Sequence, residues 1–170
     1  MSRVLIAGMG NILRGDDGFG VEAARRLGGV DFGRGGEVKV IEVGIGGIHL
    51  VQELMDGYDV LIVIDALARN SAPGTLHLLE AEVPDLDAWP EAQRQDFLAD
   101  MHYTTPSKAL ILAKALGVLP TQVYLVGCQP SEVEEFGIGF SEPVQRAVDA
   151  VTGAVQRLVQ GQRVEDLSRS

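Results

Sequence analysis

Hydrophobic and polar positions along this chain follow two alternating periods. Short apolar runs that stop at glycine or an acid predict buried strands, and apolar residues spaced three or four apart predict helices. Five stretches are predicted to form strands, in the order VLIAGMG, EVKVIEV, DVLIVIDAL, APGTLHLLE and TQVYLVGCQP. The third is the most hydrophobic and is predicted to be central, and the fourth is predicted to lie at an edge of the sheet.

Four amphipathic stretches between and after these strands predict helices. Thr105 is placed to cap the third helix with Pro106 in its first position, and Ser141 to cap the fourth with Pro143 in its first turn. The inward-facing residues are predicted to be Val21, Ala24 and Leu27; then Ile48, Val51, Leu54 and Met55; then Ala109, Leu112, Ala113 and Leu116; and finally Val144, Ala147, Val148, Val151, Val155 and Leu158.

This alternation predicts an α/β fold. We expect one domain over residues 1–160, built on a mostly parallel, twisted sheet of about five strands with helices on both faces and one antiparallel edge strand. Residues 161–170 are expected to form a polar C-terminal tail. Residues 80–100 contain seven acids and one base and show neither period, so they are predicted to form a long loop that either contacts a partner or is solvated.

The composition narrows the functional classes. The net charge of −10 argues against nucleic acid as a partner, because phosphate binding needs a basic face. No signal peptide is visible, and no apolar run approaches the length of a membrane span, so a soluble cytoplasmic protein is expected. There is no heptad repeat, and a monomer is predicted. With one cysteine and three histidines, a metal site must depend mainly on carboxylates.

The glycine-rich stretch GNILRGDDGFG resembles a phosphate-binding loop only in part. Asp16 and Asp17 occupy the positions where that loop has Lys and Ser or Thr, and Leu13 occupies the last glycine position of a dinucleotide fingerprint. Two adjacent carboxylates would repel a pyrophosphate. An acid near a helix N-terminus is also a common stabilising feature, so a purely structural role for this turn is a second interpretation.

Three side chains are predicted to converge at one rim of the sheet. Asp17 follows the first strand, Asp65 ends the third, and His102 precedes the helix that leads to the last strand. Two carboxylates and an imidazole can bind a divalent transition metal and leave coordination positions open. Each also has a structural alternative, as a helix-terminal acid, an Asx-turn and an exposed loop histidine. Cys128 is either a nucleophile with His102 as base or, more commonly for such a residue, a small buried hydrophobe.

Several motifs in this order resemble the maturation endopeptidases of [NiFe] hydrogenases. The opening motif of that family, G-x-G-N-x-L-x-x-D-[DE]-G-x-G-V, is matched in full from Gly8 to Val21. The family's later segments resemble LIVIDAL, HYTTPSKAL, VYLVGCQP and GIGFSEPV. The departures are small: Asp17 stands where some members have glutamate, and Cys128 where many have an apolar residue.

The resemblance implies that the protein cuts the C-terminal extension from a hydrogenase large-subunit precursor after nickel insertion. It implies that Asp17, Asp65 and His102 contact nickel carried by the precursor, with no nucleotide cofactor. For the hydrolysis, either the metal polarises the carbonyl or the water, or a carboxylate such as Asp16 or Asp65 acts as general base. Asp17, Asp65 and Asp16 are therefore the candidate catalytic residues. The alternatives are a non-catalytic nickel-binding chaperone and a nucleotide-binding module of Rossmann type.

Overall fold

The computed structural model describes residues 2–33, 36–99, 106–131 and 137–162. Within these residues the chain forms five strands and five α-helices. The strands are β1 (Val4–Met9), β2 (Val38–Gly44), β3 (Val60–Ala66), β4 (Leu76–Glu80) and β5 (Gln122–Cys128). The helices are α1 (Phe19–Leu27), α2 (Gly47–Leu54), α3 (Glu91–Ala99), α4 (Pro106–Ala115) and α5 (Glu142–Val159).

The strands form one sheet in the order β2-β1-β3-β5-β4. Four of them are parallel, and β4 runs antiparallel to β5 at the edge. This confirms the predicted fold class, the central position of β3 and the antiparallel edge strand. Because β1 has its sequence neighbour β2 on one side and β3 on the other, the chain reverses its winding direction between β1 and β3. Ligands of doubly wound sheets bind at such a switch point.

Helices cover both faces of the sheet, as predicted. Helices α1 and α5 pack on one face, and α2 and α4 pack on the other. The clearest agreement is in α5, where all six predicted inward residues are buried. The prediction was wrong for Ile48, Met55 and Leu116, which are exposed. The buried face of α2 is centred on Leu50 instead, and Met55 and Leu116 lie beyond the last residues of their helices.

The predicted long loop is replaced in part by helix. Helix α3 occupies Glu91–Ala99, and a short 3-10 turn precedes it at Leu86–Ala88. Phe97 is the one buried residue of this helix, and it packs with Leu86 and Ile111 and edge-on against Trp89. A helix that buries a single side chain has almost no apolar periodicity, which is why the sequence pattern missed it.

The ends of two helices, the C-terminal tail and the expected absence of a membrane-spanning helix remain to be compared with the sequence. Gly161 follows α5 with φ 93°, consistent with a glycine ending that helix. Thr105 and residues 163–170 lie outside the described residues, so its capping role and the polar tail stay predictions. None of the helices in the described part of the chain combines the length and apolar character needed to cross a bilayer.

Candidate functional site

Glycines bring the turn after β1 into direct backbone contact with its neighbours. A Cβ atom on Gly20 would lie 2.1 Å from the carbonyl oxygen of Ile64, and one on Gly8 would lie 2.2 Å from that of Gly20. Gly10 has φ 125°, and a Cβ there would lie 2.0 Å from the carbonyl oxygen of Asp17. These glycines therefore serve chain packing: they let the first turn of α1 sit against the ends of β1 and β3.

Asp17 lies exposed in this turn. Its Oδ2 atom accepts a hydrogen bond from the Asn11 amide at 3.1 Å, and its own amide donates to the carbonyl of Arg14. Arg14 is also bridged to Gly137, whose amide donates to the carbonyl of Leu13. The turn is thus fixed from both sides, while the Asp17 carboxylate is open to solvent and to an incoming ligand.

Asp65 lies at the end of β3, paired with Gly127 of β5, and is partly buried. Its Oδ1 atom accepts a hydrogen bond from the Ala66 amide at 2.8 Å and lies 3.3 Å from the Cβ position of Gly10. Burial and, as a smaller cause, the charge of Asp17 together raise the pKa of Asp65 from its ordinary value of 3.8 to about 7. The structure therefore brings these two predicted residues together at the switch point.

Asp16 is placed differently from its neighbour. It is 1% exposed, and it accepts hydrogen bonds from the Ser131 amide at 2.9 Å, the Ser141 amide at 2.8 Å and the Ser141 hydroxyl at 2.8 Å. Ser141 precedes α5 as predicted, but its hydroxyl binds Asp16 and makes no side-chain cap bond to the helix. Asp16 thus joins the glycine turn to the loop after β5 and to the start of α5.

Gln129 lies near the candidate site, and the sequence pattern predicted no role for it. Its Oε1 atom accepts hydrogen bonds from the amides of Arg69 and Ser71, at 2.6 and 3.3 Å, and from the Ser71 hydroxyl at 3.1 Å. This side chain, at the end of β5, therefore helps to hold the segment after β3 in place. The motif VYLVGCQP marked the position, but no local pattern reveals a bond across 58 positions of the chain.

The remaining candidate residues are separated from this pair or lie outside the described residues. His102 falls outside them, so its place in the site stays a prediction. Among the residues that the structure does describe, no three His, Cys, Asp or Glu side chains are grouped as a metal site would require. His49 is exposed on α2, and His77 interacts with the Ser71 hydroxyl.

Cys128 packs in the core against α5, with 1% of its surface exposed. Burial and, as a smaller cause, the nearby charge of Asp16 together raise the pKa of its thiol to about 12. A thiol of that pKa is protonated at neutral pH and is a poor nucleophile. The structure therefore supports the interpretation of Cys128 as a small buried hydrophobe.

The strand order, the glycine turn and the paired acids define an α/β protein with an acidic site at the switch point of its sheet. Comparison with known families makes this specific. The model of the hydrogenase maturation protease family matches residues 29–158. The chain belongs to this family.

Individual relatives agree. The chain is 38% identical to the hydrogenase expression/formation protein HupM of Azotobacter chroococcum, over 86% of this chain and 66% of that protein. It therefore spans about two thirds of that relative's length. Among solved structures, the hydrogenase 2 maturation peptidase of a Thaumarchaeota archaeon is 32% identical with a TM-score of 0.68, covering 94% of this chain and 99% of the other. The hydrogenase maturating endopeptidase HybD of E. coli is 27% identical with a TM-score of 0.70, covering 93% and 92%.

Proposed function

We propose that this protein is the endopeptidase that removes the C-terminal extension from a nickel-loaded [NiFe]-hydrogenase large-subunit precursor. Asp17, Asp65 and His102 contact the nickel that the precursor carries. The observation that supports this most is the pairing of Asp17 and Asp65 at the switch point, close enough for the charge of one to raise the pKa of the other. Membership of the hydrogenase maturation protease family indicates the class of substrate.

The electrostatics of the pair favour a cationic ligand. Burial and a neighbouring carboxylate both disfavour the charged form of Asp65. A divalent cation placed between the two carboxylates reverses the second effect, because it is attracted to both. Carboxylate and imidazole donors also suit nickel. Pro106 lines the same cavity as Asp65 and follows His102 by four residues in the sequence. This supports the proposal that the His102 imidazole is the third group that contacts the nickel.

The contacts favour Asp65 over Asp16 as the general base in this proposal. Both oxygens of Asp16 accept hydrogen bonds, and the residue is 1% exposed, so its carboxylate presents almost no surface to bulk water. Asp65 is partly exposed, and among the described residues its side chain accepts only the Ala66 amide. In the proposed reaction Asp65 takes the proton from the water that attacks the scissile carbonyl, while Asp16 holds the turn that carries Asp17.

The test uses purified precursor with and without nickel and follows the loss of the extension by mass spectrometry. Asp17→Ala, Asp65→Asn and His102→Ala are each expected to lower processing at least about 100-fold, because each removes a group that contacts the nickel or the attacking water. Asp56→Ala is the matched control and is expected to process normally, because Asp56 is exposed and precedes β3, at the opposite end of that strand from Asp65. Circular dichroism confirms that each variant is folded.

Three outcomes would overturn the proposal. If a variant that carries Ala at Asp17, Asp65 and His102 together processes the precursor normally, these residues do not form the site. If nickel-free precursor is cut as fast as the loaded form, nickel recognition is wrong. Nickel-dependent binding of the precursor without any cleavage would instead identify a chaperone.

A further inference from the structure

A small cavity of about 150 Å³ opens beside Asp65, between the carboxyl ends of β3 and β5 and the first turn of α4. Its apolar walls are formed by Val63, Leu67, Pro106, Leu110 and Leu125, and Asp65 lies at its edge. Val63, Asp65 and Leu67 are spaced two apart along the chain. Val63 and Asp65 therefore point to the same face of β3, towards α4.

Gly127 determines the shape of one wall. A Cβ atom at this position would lie 2.6 Å from Cβ and 2.8 Å from Cδ2 of Leu67. Leu67 packs into the space that the missing side chain leaves. Its amide donates to the carbonyl of Cys128 at 2.8 Å, which holds the backbone of this wall in place. The wall is therefore positioned by β5 and is not a freely moving loop side chain.

We propose that this cavity is a specificity subsite that receives one aliphatic side chain of the precursor, from a residue adjoining the bond that is cut. The inference rests on the proposed function, because it takes Asp65 as a reacting group. Neighbouring Cα atoms are about 3.8 Å apart, so a peptide whose scissile carbonyl lies at Asp65 has a flanking side chain at the mouth of the cavity. The ligand is thus a segment of the precursor itself.

Size and chemistry define the preferred side chain. A dry cavity of about this volume accommodates benzene, so the space suits the four or so carbons of Val, Leu or Met and is too small for Trp. Charged side chains are disfavoured, because the walls supply almost no hydrogen-bond partners. A basic side chain is the serious competitor, since it could pair with Asp65 at the rim, and the experiment must separate it from an aliphatic one.

The experiment measures kcat/KM for nickel-loaded precursors that carry Leu, Val, Trp, Asp or Lys at each of the two positions flanking the cut. At one of the two positions, Leu and Val are expected to exceed Asp, Lys and Trp by about 10- to 100-fold, the factor that burial of one aliphatic side chain provides. No preference at either position, or a preference for Lys, overturns the proposal.

Two variants alter the cavity in opposite directions. Leu67→Ala enlarges it and is expected to raise processing of the Trp precursor at least about tenfold relative to the Leu precursor. Ser107→Phe, at an exposed position on the rim, is expected to fill the mouth and remove the aliphatic preference without affecting the core. Leu116→Ala is the matched control, because Leu116 is 52% exposed and does not line the cavity. An unchanged Leu-to-Trp ratio in both cavity variants contradicts the assignment.

A binding measurement separates failure of this inference from failure of the proposed function. N-acetyl-leucine amide at millimolar concentration is titrated into the wild-type protein while the methyl resonances of the leucines are followed by NMR. Saturable shifts at Leu67, Leu110 and Leu125, without shifts at Leu116, support the subsite even if no precursor is cut. Absence of such shifts, or equal shifts with N-acetyl-lysine amide, refutes it even if the precursor is processed.

Discussion

Substitution of Asp65 by Asn is expected to stabilise the fold, and to do so increasingly as the pH rises. The folded-state pKa of Asp65 is about 7, compared with 3.8 as its ordinary value, mainly because of burial and secondly because of Asp17. Below about pH 4 the carboxyl is neutral in both states and has no net effect. Between about pH 4 and pH 7 the folded state binds more protons than the unfolded state, so wild-type stability falls as the pH rises through this window.

The magnitude follows from the shift. A pKa shift of about three units, at about 1.4 kcal/mol each, means that the charge of Asp65 lowers the free energy of unfolding by at most about 4 kcal/mol above pH 7. About half of this destabilisation, about 2 kcal/mol, develops between pH 5.5 and pH 8. At pH 5.5 the carboxyl of Asp65 is already ionised in the unfolded protein but still protonated in the folded protein. Asparagine keeps the Oδ1 atom that accepts the Ala66 amide and removes only the charge, so the variant isolates the electrostatic effect.

The assay is urea unfolding of wild type and Asp65→Asn at several pH values from 5.5 to 8. This range lies above the pI of about 4.6, the pH at which the protein is least soluble. Asp87→Asn, at an exposed carboxylate, is the control and is expected to show no pH-dependent difference. Asp17→Asn is expected to reduce the pH dependence only in part, because burial is the larger cause. A stability difference between wild type and Asp65→Asn that is constant across this range would refute the reasoning.

Three further expectations concern the architecture around the site. Asp16→Ala should lower the free energy of unfolding by about 2–4 kcal/mol, because two partly buried amides lose their acceptor. Asp87→Ala, at a side chain that is 95% exposed, is the control in the same urea titration and should change the free energy of unfolding by less than about 0.5 kcal/mol. Gly20→Ala should prevent folding, since its Cβ would meet the Ile64 carbonyl oxygen, whereas Gly29→Ala, with 4.0 Å to its nearest neighbour, should express and fold normally by circular dichroism. Cys128→Ala should process the precursor normally, and complete loss of processing in a folded variant would restore the cysteine-hydrolase hypothesis.

The elements that the sequence predicts best are those whose burial is complete and regular. All residues of β1 are buried, and the apolar stripe of α5 is continuous, so hydrophobic pattern alone locates them. Helix α3 could not be found in this way because it contributes only Phe97 to the interior. On α2 the predicted residues Val51 and Leu54 are buried, but Leu50 is buried in place of Ile48. Both residues are apolar, and only the packing of the helix selects between them.

In the candidate site, too, some features could be predicted from the sequence pattern and others could not. The ends of β1 and β3 can be located from pattern, so the approach of Asp17 to Asp65 could be predicted once the sheet was assumed parallel. The difference between Asp16 and Asp17 could not. Adjacent acids look equivalent in a sequence, and their roles are separated by donors from Ser131 and Ser141, more than 100 positions away. Such a bond exists only after the fold has brought both segments together.

Stability and the proposed function make opposite demands on Asp65. A partly buried carboxylate beside a second carboxylate destabilises the fold at neutral pH, and the neutral isostere at this position removes that cost. A residue selected only for stability would therefore not be ionisable here. The acid nevertheless lies at the carboxyl end of the central strand, next to the turn that carries Asp17. In the proposed function, a cation brought by the substrate interacts with both carboxylates at this position. If Asp65→Asn is both more stable than the wild type and inactive, the negative charge of Asp65 is the cause both of the lower stability and of the activity.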